Sequence, residues 1–173
     1  MNIFVLDRDP TKAAHMMCDK HVVKMILESA QMLSAVIDHQ YKDEHRSGDG
    51  PVIEQYGLPG YPKAHAKHPC TLWARQSKQN AIWLVQHMRA LCLEYTKRYN
   101  KFHKQDGLPL VYEAQLEYCE FDSKKQTEFV QAITNTDLHR DDPVEAYREY
   151  YRKEKAHFCT WKHGVIPEWF DYA

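Results

Sequence analysis

Asp19-Lys-His-Val-Val-Lys-Met-Ile-Leu-Glu-Ser-Ala-Gln-Met-Leu-Ser34 reads as an apolar helix that carries one thin polar stripe. At helical spacing His21, Lys24, Glu28 and Gln31 fall at i, i+3, i+7 and i+10, so they share a face. Val22, Val23, Met25, Ile26, Leu27, Ala30, Met32 and Leu33 take up most of the remaining circumference. A solvated surface helix has a broad polar face. A helix this apolar is expected to run through the interior, and its line of titratable groups to mark a site. Glu28 is the candidate acid or base. Burial among Ile26, Leu27 and Met32 penalises a charged carboxyl unless a cation lies close, and Lys24 and His21 sit one and two turns earlier. The alternative reading is a Lys24–Glu28 pair on a helix face, worth a few tenths of a kcal/mol.

Outward from the stripe, helices and loops alternate. Met1-Asn-Ile-Phe-Val-Leu6 is a short apolar run, and Asp9 before Pro10 predicts a cap and the first turn of a helix. That helix either continues into the stripe or restarts at Asp19, and it ends near Asp38. From His39 to Pro69 the composition shifts to Gly, Pro, Tyr and charge, as in Gly48-Asp-Gly-Pro51 and Gly57-Leu-Pro-Gly-Tyr-Pro62. A loop of about thirty residues is expected at about 39–69, a length that is functional or mobile in compact domains.

Pro69 then seeds a long helix from about Thr71 to Tyr99, with Leu84, Met88, Leu91 and Tyr95 at helical spacing. The segment Leu108–Phe121 fits a strand or a short helix equally. Asp142-Pro-Val-Glu145 predicts a capping box and a last helix to about Thr160. The aromatic tail Pro167-Glu-Trp-Phe170 is expected to dock. The fold class is all-α, as one compact helical domain over residues 1–173 with long connecting loops.

Composition narrows the class of protein. A hydrophobic fraction of 43% and a charged fraction of 27% are ordinary for a soluble globule. No apolar run approaches a membrane span and the start lacks a signal-peptide pattern, so a cytoplasmic protein with no membrane partner is expected. Cys18, Cys70, Cys92, Cys119 and Cys159 are scattered and read as small buried hydrophobes. The histidines form neither His-x-x-x-His nor His-Glu-x-x-His, so no metal and no cofactor is expected. Net charge is −1, yet Gly60 to Leu110 holds nine Lys or Arg against Glu94 and Asp106, a local +7. That bias fits either a cationic face for phosphates or a solvated helix.

Two further groups are candidates for substrate contact. Arg148, Arg152 and Lys155 lie at i, i+4 and i+7 beside Tyr147, Tyr150, Tyr151 and Phe158, a mixture suited to phosphates and stackable bases. His68-Pro-Cys-Thr-Leu-Trp-Ala-Arg75 opens the long helix, whose N-terminus can receive an anion with help from Arg75 and Lys78. The plainer readings are aromatics in the core with cations facing water, and a proline that merely starts a helix.

Asp19-Lys-His21 followed by Glu28 resembles the first helix of the pyrimidine-dimer DNA glycosylases of the phage endonuclease V type. The start Met1-Asn-Ile-Phe-Val-Leu6, His68 at the head of a long helix, and Tyr150-Tyr151 with Lys155 are similar to that family too. The resemblance implies a compact all-α fold, a nucleophile at the chain's terminal amine and a key acid at Glu28, with His21 close by. Leu27 stands where the family has an arginine, and His39–Lys67 is an insertion relative to compact members. Asn2 is too large for efficient removal of the initiator residue, which leaves the amine on Met1. An α-amine ordinarily titrates near pH 8, so part of it is neutral near pH 7.

The expected function is therefore a DNA glycosylase/lyase acting on a pyrimidine nucleotide. Glu28, Met1 and His21 are the catalytic candidates. Asn2, Lys24, Gln31, His68, Arg75, Lys78, Arg148, Arg152 and Lys155 are the substrate-binding candidates, with DNA or a nucleotide as substrate. The alternatives are a hydrolase or binder of a small nucleotide, metal-dependent or not, and a non-catalytic interaction protein.

Overall fold

A computed structural model describes residues 1–41, 61 and 65–170 of the chain. The N-terminal residues form a bent, non-helical lead into α1 (Pro10–Met16) and α2 (Asp19–Gln40); α3 (Pro69–Gln76), α4 (Lys78–Tyr99) and α5 (Leu108–Gln115) follow. The last helix, α6 (Pro143–Tyr150), runs on through a π turn at Tyr151–Lys155 and a 3-10 turn at Ala156–Phe158. The described residues form no strand; Tyr41 and Cys119 share one isolated bridge. The all-α class holds. Of the loop expected at about 39–69, residues 42–60 and 62–64 lie outside the described residues.

The chain punctuates its helices with side-chain caps. Asp9 accepts the amides of Thr11 and Lys12 at 2.9 Å each, which starts α1 as expected. The next helix restarts at Asp19 and runs two residues past the expected end. The helix expected from Thr71 to Tyr99 is broken at Ser77, whose backbone is extended and whose hydroxyl accepts the Asn80 amide at 3.1 Å. The Asn80 side chain donates back to the Trp73 carbonyl at 2.7 Å, so both helix ends are satisfied at the break. Leu108–Phe121 resolves as α5 with a 3-10 turn at Leu116–Tyr118. Asp142 caps α6 through the Val144 amide, whereas Glu145 turns to Arg148 instead of closing the expected box.

The core lies where α2 and α1 cross α4. Val22, Ile26, Leu33 and Val36 of α2 meet Leu84, Met88 and Leu91 of α4 in one buried cluster. Each such side chain contributes about 1.5–3 kcal/mol on burial. Yet α2 is not covered all round: Val23 and Leu27 stay 39% and 37% exposed beside Lys20 and Lys24. The titratable line therefore runs along an edge of the core. Trp161 and Phe170 pack at 4.6 Å, so the tail docks as expected. All five cysteines are buried and free.

Candidate active site

Arg98 fixes where α2 begins. Its side chain, fully buried on α4, binds Glu94 at 2.9 Å, Asp19 at 3.1 Å and the Met17 carbonyl at 2.8 Å. Asp19 also accepts the Lys162 amide at 2.7 Å and the Thr160 hydroxyl, tying helix start to tail. From that anchored end, two turns of helix carry His21, Lys24 and Glu28 to one side of a cavity of about 600 Å³.

The chain's first residues form the facing wall. Asn2 is buried and uses its whole side chain internally. Its amide nitrogen donates to the Ala132 carbonyl at 2.7 Å, and its oxygen accepts the Ile3 and Phe4 amides at 2.8 and 3.1 Å. Phe4 has φ of 40°, a left-handed conformation costly for a bulky residue. In it, the ring stacks on His21 at 4.2 Å and faces Tyr150 at 6.1 Å. This hook brings the Met1 amine to 3.6 Å from Glu28 Oε2, with the Met1 side chain only 1% exposed. The Asn2 amide donates to the same oxygen at 3.1 Å, and Lys24 Nζ lies 3.2 Å from Oε1. Glu28, itself buried, thus meets two cationic groups and one N–H.

The other walls are aromatic and basic. His21 Nδ1 and the Tyr151 hydroxyl share a hydrogen bond, and burial holds that phenol well above its ordinary titration range. Lys155 Nζ lies 4.4 Å over the Tyr150 ring and Lys20 Nζ 5.0 Å over Phe158. His68 lines the cavity and caps α3, its Nδ1 accepting the Cys70 amide at 3.2 Å. Burial, then the nearby chain amine and His65, push its imidazole below the ordinary value, against the pull of Glu28. Cys18, buried at the head of α2, has its thiol held below the ordinary range by a hydrogen bond from Cys159 and by His21.

Seven expected residues therefore converge on one cavity: Met1, Asn2, His21, Lys24, Glu28, His68 and Lys155. Asn2 meets it as scaffold, because its polar atoms are already engaged. Five do not line it. Gln31 lies beyond the lining, and the Arg75 carbonyl accepts a hydrogen bond from Gln40. Lys78 pairs with Glu117 at 2.9 Å and Arg152 with Glu149 at 2.7 Å. Arg148 binds Glu145 and the Leu6 carbonyl. Within the +7 stretch Arg89, Lys97 and Arg98 are also paired with carboxylates. Phe4, Lys20, Ala132 and Thr134 line the cavity without having been singled out. Lys20, between Asp19 and His21, was the one with a positional signal. Among the described residues, no group of three His, Cys, Asp or Glu could hold a metal ion. None of the described helices is long and apolar enough to cross a membrane.

No curated protein and no solved structure matches the chain. A family model, described as pyrimidine dimer DNA glycosylase, matches residues 1–106. The matched region takes in the N-terminal hook, α2 with Glu28, and His68; the wall from Ala132 to Phe158 lies beyond it. With more than half of its length matched, and with the glycosylase-like start and stripe facing one cavity, the chain belongs to the pyrimidine dimer DNA glycosylase family.

Proposed function

We propose that the protein is a DNA glycosylase and lyase that works through the Met1 amine and Glu28. The observation that carries this reading is the buried Met1–Glu28 contact of 3.6 Å at the wall of a cavity large enough for a nucleotide. In its neutral form the amine attacks C1′ of a damaged pyrimidine nucleotide, and the pair of the C1′–N1 bond leaves with the base. Glu28 takes the proton released by the amine and returns it to O4′ as the C1′–O4′ bond opens, leaving an imine between Met1 and C1′. The same carboxylate then removes a proton from C2′, which expels the 3′ phosphate. The damaged nucleotide or its partner must leave the base stack to reach the cavity, at a cost that damage lowers.

His21, stacked on Phe4 and bonded to Tyr151, supports the wall that faces the sugar. Lys20, Lys24 and Lys155 supply positive charge for the phosphates, and Tyr150 a surface for a base. Borohydride trapping with oligonucleotides carrying pyrimidine dimers, other modified pyrimidines or an abasic site tests the reading. A covalent adduct is expected, lost when the N-terminus is acetylated and lowered at least about 10²-fold in Glu28→Gln. Absence of an adduct with every DNA, with binding of free nucleotides retained, would replace it by the small-nucleotide alternative. Full activity of Glu28→Gln would remove the carboxylate from the mechanism.

A further inference from the structure

His68 does two jobs with two ring nitrogens. Its Nδ1 accepts the Cys70 amide at 3.2 Å and so caps α3. A ring nitrogen that accepts cannot carry the proton, so in the neutral ring the hydrogen sits on Nε2. The half-buried ring lines the same cavity as Met1 and Glu28. We infer that His68 is a fixed neutral donor whose Nε2–H binds the carbonyl oxygen of the departing pyrimidine. This inference rests on the glycosylase reading of the site.

The chemistry calls for such a donor. As the C1′–N1 pair moves to the base, negative charge spreads onto O2, the carbonyl oxygen beside N1. A preorganised donor aimed at developing charge is worth more than one that must be drawn from solvent. Two of the polar groups near the amine are engaged: Lys24 with Glu28, Asn2 with Ala132 and its own backbone. Lys155 and Lys20 lie over the Tyr150 and Phe158 rings. The lowered titration of His68 agrees with the same assignment, because it keeps the imidazole neutral at pH 7 while the cap fixes its tautomer. A neutral donor also adds no second full charge beside the nucleophile.

The cap supplies the control. In His68→Asn the short side chain remains a strong helix cap but cannot reach the base, whereas His68→Ala loses cap and donor together. Both are assayed beside the wild type in single-turnover cleavage of pyrimidine-dimer duplex and in borohydride trapping on abasic-site duplex, where no base departs. His68→Asn is expected to keep its melting temperature and to lose about 10²-fold on the dimer, but within about threefold on the abasic site. Equal losses on both substrates, or wild-type cleavage by His68→Asn, would overturn the donor role. A wild-type protein that trapped neither DNA would instead count against the glycosylase reading itself. Imidazole 15N spectra give an independent readout: a protonated Nε2 with a bare Nδ1 is expected, and the reverse tautomer would overturn the assignment.

Discussion

Asn2 shows what a single residue contributes that no pattern announces. From the sequence it is a candidate substrate contact. In the folded chain its amide group closes a hook on Ala132, Ile3 and Phe4, and its backbone N–H reaches Glu28. Glu28 and His21 were legible because helical spacing places them on one face. The hook was not, since it depends on a carbonyl 130 residues away and on a left-handed Phe4. Replacing Asn2 by Leu removes three side-chain hydrogen bonds, at about 1 kcal/mol each, and frees the amine to drift. Asn2→Leu is expected to lower imine formation about 10²-fold while its melting temperature drops by several degrees. Intact mass confirms that Met1 is still present. Imine formation at the wild-type rate would show that the amine needs no hook.

Among the elements, helix existence was legible and helix continuity was not. Apolar periodicity predicts helices at 71–99 and 143–160, but Ser77 competes as a cap and splits the first into α3 and α4. The π turn at Tyr151–Lys155 follows from packing, with Tyr151 fully buried against His21 while Lys155 reaches the cavity. Another element-scale feature is the seam between α1 and α4, where His87 stacks on Trp83 at 4.9 Å and donates to the Pro10 carbonyl at 2.9 Å. Burial lowers this imidazole from 6.5 to about 4. The unfolded chain therefore takes up a proton near pH 6.5 that the folded chain refuses until about 4. Stability is full above that upper value and declines as the pH falls through the window, by about 3 kcal/mol in all. Urea unfolding from pH 7 to 4 is expected to show this loss. His87→Gln should flatten the profile across that window, and an unchanged slope would place the titration elsewhere.

Across the whole molecule, charge is arranged by pairing. The excess of Lys and Arg between residues 60 and 110 was visible in the sequence, but of the carboxylates that answer it only Glu94 lies in that stretch, while Glu113, Glu117 and Asp19 come from outside it. Only tertiary structure brings them together. The basic groups left at the cavity are Lys20, Lys24 and Lys155, drawn from two ends of the chain. If the proposed glycosylase sets DNA phosphates on these groups, their charge governs the salt dependence of DNA binding. Lys20→Gln and Lys155→Gln are each expected to reduce the slope of log K against log salt by about 0.9, and Lys78→Gln not at all. A reduction as large for Lys78→Gln would move the DNA to another face.

At the same scale, the chain closes its end onto its first long helix, and the claim that this makes an imine-forming amine is open to one direct reading. After borohydride reduction on abasic-site DNA, the adduct is digested and its modified peptide sequenced by tandem mass spectrometry. The account predicts that the sugar remnant sits on the α-nitrogen of Met1. An adduct on the Lys24 side chain, which shares Glu28 with that amine at 3.2 Å, would contradict it.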